Sequence, residues 1–183
     1  QIPNLFLDLG IHLFNLSHFF FNQNPKIVLA DMSKLGKNAL VDNAKILLKY
    51  NNDFNGSFWF SKSSLGNRNN LKIKIFFEKC SIKWEHNNYE YIVLSYPDGS
   101  IKTLDRSIKS FTQNEPRYNR YRMGHPIGFV ESFANMYEDI ARDYIGNSKK
   151  NKYVFNQNHG FEGIKFLNNC VKSFKNKKWI INK

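Results

Sequence analysis

With 183 residues the chain has room for one ordinary domain with a real core, and too little for two large ones. A hydrophobic share of 42% and an aromatic share of 16%, with only 10 Gly and 5 Pro, exclude a disordered, collagen-like or linker chain. The 27 Lys and Arg against 15 Asp and Glu leave a net charge of +12, which invites phosphates or an anionic surface. An A/T-rich codon bias, visible in 25 Asn beside many Lys, Ile and Phe, accounts for the same surplus without any partner.

The longest apolar runs, such as Ile27-Val28-Leu29-Ala30, fall far short of the ~18 residues that span a bilayer, so no transmembrane helix is expected. The start Gln1-Ile2-Pro3-Asn4 has neither an initiator Met nor the basic-then-apolar order of a signal peptide, and further residues upstream are expected. Cys80 and Cys170 match no metal spacing. They read as buried, reduced thiols of a cytoplasmic protein.

In chain order, Leu7 to Phe21 is apolar around most of its circumference and predicts a helix packed on nearly all sides, ended by Asn22-Gln23-Asn24-Pro25. Pro25 to Ser33 predicts a strand with Val28 and Ala30 on one face and Ile27 and Leu29 on the other; Ala44 to Tyr50 predicts a second. For about sixty residues the period is then two. Ser57 to Ser61 is aromatic and strand-like, and Leu71 to Phe77 places Leu71, Ile73, Ile75 and Phe77 opposite two lysines. Ser81 to Glu85 follows a turn at Glu78-Lys79-Cys80, and Tyr89 to Leu104 forms a hairpin about Pro97-Asp98-Gly99-Ser100.

The period switches to 3.6 at a helix whose stripe is Phe129, Phe133, Met136 and Ile140, closed near Gly146. Lys149-Lys150 and Asn151 read as a solvated loop before a last helix from about Phe161 to Phe174, with Ile164, Leu167, Val171 and Phe174 inward. The order predicts an α+β fold, a mostly antiparallel open sheet with helices on one face. Trp59, Trp84, Tyr91 and Phe76 cannot all face the same helices, so part of the second face is expected at a subunit interface.

Three candidate sites stand out. Asp8, His12 and Asn15 fall at i, i+4 and i+7 on one face of the first helix. A carboxylate beside an imidazole suits proton transfer, although Asp8 also serves as a helix cap and a His on an apolar helix as a core residue. His125, in Gly124-His125-Pro126-Ile127-Gly128-Phe129, sits at a helix entry whose N–H groups favour an anionic or hydroxyl-rich ligand, or is incidental to a turn. The run Arg117-Tyr118-Asn119-Arg120-Tyr121-Arg122 reads as a phosphate grip or as a solvated connection with cation–π contacts. No Gly-rich phosphate loop, paired-Cys metal cluster or Ser nucleophile motif occurs, and no metal is expected.

In sequence, these pieces resemble the C-terminal domain of the glucose-fructose oxidoreductase / inositol dehydrogenase (Gfo/Idh/MocA) family. Asp8-Leu9-Gly10-Ile11-His12 looks like its Asp-x-Gly-x-His helix, and Phe77 to Trp84 looks like its Gly-Glu-Lys-Gly-Ser-Leu-x-Trp strand. Gly124 to Tyr137 is similar to the Gly-His-Pro-Glu-Gly-Tyr-x-Glu-Ala-Phe-Ala-Asn-x-Tyr segment of one subgroup, and Gly160 to Trp179 to the closing helix and strand. Ile127 replaces a Glu, His159 an Asp, Cys80 a turn Gly and Asn15 an Asp, which loosens the subgroup and substrate.

The resemblance implies that residues 1–183 form one substrate-binding and oligomerisation domain, with the family's dinucleotide-binding half absent from this chain. It implies hydride transfer between NAD or NADP and a sugar, cyclitol or related polyol. His12 would pass the proton, Asp8 would orient it or the substrate, and Asn15 and His125 would contact substrate. A homo-oligomer is expected, and the fragment alone is expected to be inactive. A basic nucleic-acid-binding module and a non-catalytic dimerisation domain are the alternatives.

Overall fold

The computed structural model describes residues 1–37, 39–51, 53–112, 115–146, 151 and 153–182. The expected loop lysines 149 and 150 lie outside them. The chain forms two compact units, Gln1–Leu65 with Asn147–Lys183, and Gly66–Gly146.

The first unit opens with one π-helical turn, Phe6–Gly10, running into α1, Ile11–Phe21. Asn22 ends α1 in the left-handed conformation (φ 50°), its N–H bonded to the carbonyl of His18, and Pro25 blocks any continuation. Three strands follow: β1, Ile27–Ser33; β2, Asn43–Lys49; and β3, Asn55–Ser61. They pair antiparallel in the order β3-β2-β1, and a two-residue strand, designated β8 (Ile180–Ile181), adds to the far edge of β1.

The register aligns Ala30 with Ile46, and Ile46 with Phe58, so one face carries Val28, Ala30, Met32, Ala44, Ile46, Leu48 and Phe60, all buried. The period-2 reading of these strands therefore holds. The last helix, designated α4 (Gln157–Asn176), packs on β1 and α1 and closes that face. Phe14 stacks on Phe166 at 4.8 Å, and Phe6 meets Phe60 edge-on at 5.0 Å. The core stripe of α4 is Phe166, Leu167, Cys170 and Val171; Ile164 and Phe174, expected inward, are 43% and 38% exposed at its margins. Cys170 is buried as expected, and burial pushes its thiol well above the usual range. Cys80 is half-buried.

The second unit holds a separate antiparallel sheet in the order β4-β5-β6-β7: Lys72–Phe76, Ser81–Glu85, Tyr91–Ser95 and Ile101–Asp105. Ile73 and Ile75 are half-buried and Lys72 and Lys74 exposed, while Phe77 lies past the strand end and is 54% exposed. A short helix, α2 (Lys109–Thr112), precedes α3, Phe129–Tyr144, which ends near Gly146 in the left-handed region (φ 74°). The expected α+β class forms, but the strands of the one open antiparallel sheet expected divide between two, β3 being the last of the first and β4 opening the second after the loop at 62–71.

Candidate functional site

Asp8 lies within the π-helical turn, where the N–H of Ile11 bonds to the carbonyl of Phe6, five residues back. Such turns recur at functional sites. Gly10 ends the turn against the core: a Cβ there would come within 3.2 Å of the Phe60 ring and 3.3 Å of Leu167. That close approach presses one side of the turn onto the sheet and leaves Asp8 and His12 exposed on the other.

The structure gives Asp8 a partner that sequence spacing does not reveal. Lys62, just past β3, places Nζ 2.5 Å from the Asp8 carboxylate. The hydrogen bond and charge of Lys62, with a smaller contribution from His12, hold the Asp8 carboxyl below the usual carboxylate range. The helical strip thus presents an anchored carboxylate, an accessible imidazole at His12, and a half-buried amide at Asn15.

Asn15 lines an open cleft of about 240 Å3 between α1 and the start of α4. Its walls include His18, Asn24, Phe155, Asn158 and His159. His18 joins Asn24 Oδ1 through Nδ1 at 2.9 Å, and its ring meets that of His159 at 5.0 Å. The sequence offered no signal for this cluster, since His18 sits inside an apolar run and 141 positions separate it from His159.

His125 lies in the second unit, exposed, with Nδ1 3.2 Å from the carbonyl of Arg122. The adjoining start of α3 is already closed: the Glu131 carboxylate accepts the N–H of Gly128 at 2.6 Å. This negative charge disfavours an anion there, so of the two ligand types expected at this turn the hydroxyl-rich one fits better. The basic run is also engaged. Arg117 grips Asp139 with two hydrogen bonds of 2.9 and 3.1 Å, and Arg120 bonds Asn135 and Glu138. Arg120 and Arg142 hold the Glu138 carboxyl below its usual range.

Among the described residues no group of three or more His, Cys, Asp or Glu is placed to hold a metal, and no helix is long and apolar enough to cross a membrane.

Residues 3–83 match the GFO/IDH/MocA C-terminal domain family. An uncharacterised oxidoreductase of Bacillus subtilis, YfiI, is 28% identical over 181 residues, covering 91% of this chain and 44% of that protein. Among solved structures, an oxidoreductase from Sinorhizobium meliloti superposes with a TM-score of 0.79 at 26% identity, over 94% of this chain and 51% of that one. An inositol dehydrogenase homolog from Azotobacter vinelandii, complexed with NADH and myo-inositol, gives 0.80 at 22% identity over 95% and 48%. The chain spans about half the length of these relatives. The match over residues 3–83 and the shared fold make the chain similar to the GFO/IDH/MocA C-terminal domain, the family its motifs resemble.

Proposed function

We propose that this chain is the substrate-binding half of a nicotinamide-dependent oxidoreductase acting on a sugar, cyclitol or related polyol. The observation that carries the reading is the exposed Asp8–His12 pair on one helical face, with Lys62 ion-paired to the carboxylate, inside the stretch that matches the family. The bound myo-inositol and NADH of the Azotobacter vinelandii homolog support the substrate and cofactor classes.

In this reading the hydride chemistry belongs to NAD or NADP held by a separate domain. The chain supplies the proton path: His12 takes the proton from the reacting hydroxyl in oxidation and returns it in reduction. Asp8 stays charged and orients the hydroxyl. Asn15 contacts a further hydroxyl, and His125, in the second unit, is a separate candidate for substrate contact. The protein acts in the cytoplasm as a homo-oligomer, and the chain alone neither binds nicotinamide tightly nor turns over.

The test joins this chain to a dinucleotide-binding domain and measures turnover on polyols. His12→Ala and Asp8→Asn are expected to lower kcat by about 10²–10⁴ with circular dichroism unchanged. Near-normal turnover in both variants would remove the pair from the reaction.

A further inference from the structure

The cleft between α1 and α4 has no part in the proton path, yet its walls are specific. Phe155 and His159 stack at 4.8 Å with their planes 13° apart, and His18 stands nearly perpendicular to both, at 5.8 and 5.0 Å. The three rings make an L-shaped wall of flat, weakly polar surface. Amides of Asn15, Asn24 and Asn158 lie around it, each offering donors and an acceptor.

We propose that this cleft is a second-ring subsite, which takes a neutral polyhydroxylated ring linked to the one held at Asp8 and His12. The inference rests on the preceding reading of that pair as the substrate site. Size points the same way, because about 240 Å3 accommodates a ring and not a nucleotide.

Charge argues for neutrality. Among the described residues no Lys or Arg lines the cleft, and the carboxylate on its wall, Glu162, is paired with Lys165 at 3.2 Å. The N–H groups at the start of α4 that would attract an anion are satisfied: those of Asn158 and His159 both donate to Asn156 Oδ1, at 3.0 and 3.3 Å. What remains is a wall of aromatic faces and amides, which suits the C–H face and hydroxyl rim of a sugar or cyclitol. Position completes the argument. His18 follows His12 by six residues, roughly 9 Å along the helix axis, with Asn15 between them on the cleft wall. A substrate of two linked rings bridges that span.

The test titrates maltose, and separately inorganic phosphate, into the isotopically labelled 183-residue chain and follows ring signals by NMR. Maltose is expected to shift the rings of His18, His159 and Phe155, and phosphate to leave them unmoved. Phe155→Ala and the exposed Asn158→Ala should each weaken maltose roughly ten-fold with melting curves retained, and Asp8→Asn should leave the ring shifts in place. Unmoved rings with maltose, equal shifts with phosphate, or undiminished affinity in both cleft variants would overturn the subsite. Turnover of the Asp8 and His12 variants bears only on the proton path, so the two readings fail separately.

Discussion

At the residue scale, the decisive contact is one that no motif encodes. Asp8 and Lys62 are 54 positions apart, and only the return of β3 past the π-helical turn brings them together. Both side chains are about half exposed, at 51% and 46%, so the pair adds little to stability. Its effect is on titration: Lys62 lowers the pKa of the Asp8 carboxyl below the usual carboxylate range. Because the folded carboxyl titrates lower than an unfolded one, the stabilisation it gives is present at neutral pH. It is lost as pH falls through the lowered folded value. Lys62→Met removes the largest causes of that shift, and the Asp8 carboxyl is expected to titrate at a higher pH in a 13C NMR titration. An unmoved midpoint would show that Lys62 is not what lowers the Asp8 carboxyl.

At the element scale, what the sequence made legible was periodicity, and what it hid was long-range pairing. The alternation in β1 and β2 and the hairpin at Pro97–Ser100 are local patterns, and they form as read. α4 starts at Gln157, a turn before the expected Phe161, because its cap, Asn156, precedes the apolar stripe. Asp8, His12 and Asn15 were legible because one helix carries all three; Lys62, His18 and His159 were not, because they meet through tertiary packing. The same limit hid Ser173. β8 covers β1 only at Ile27 and Val28, and the N–H of Ala30 beyond it donates to the buried Ser173 Oγ at 3.0 Å. Ser173 in turn donates to the carbonyl of Lys178 at 2.7 Å. Ser173→Ala leaves the buried Ala30 N–H and the Lys178 carbonyl without this hydroxyl, and urea unfolding is expected to show a loss of about 1–3 kcal/mol. A loss below about 0.5 kcal/mol would mean that the hydroxyl is dispensable or replaced by water.

At the scale of the whole molecule, the +12 charge and the exposed apolar surface pull in opposite directions. Charge disfavours self-association, and several arginines are already engaged by Glu90, Glu138 and Asp139. The apolar surface gathers on faces. Opposite the helices, β2 and β3 show Leu47 at 48% and Trp59 at 58% exposure; in the second unit, α3 shows Phe129 at 78% and Tyr137 at 65%. Lone exposed hydrophobics need no explanation, but side chains aligned on one sheet face mark an association surface. On the first sheet Lys45 lies across from both Asp31 and Trp59, so the face mixes apolar area with charged side chains, as subunit interfaces do. A second copy brought face to face would bury this area in a two-fold contact. Light scattering is therefore expected to give at least a dimer mass for the wild-type chain. The double variant Leu47→Lys, Trp59→Lys is expected to return a monomer with unchanged circular dichroism, because four added charges across a two-fold contact repel. A clean monomer in the wild type at tens of micromolar would remove the sheet face as the contact.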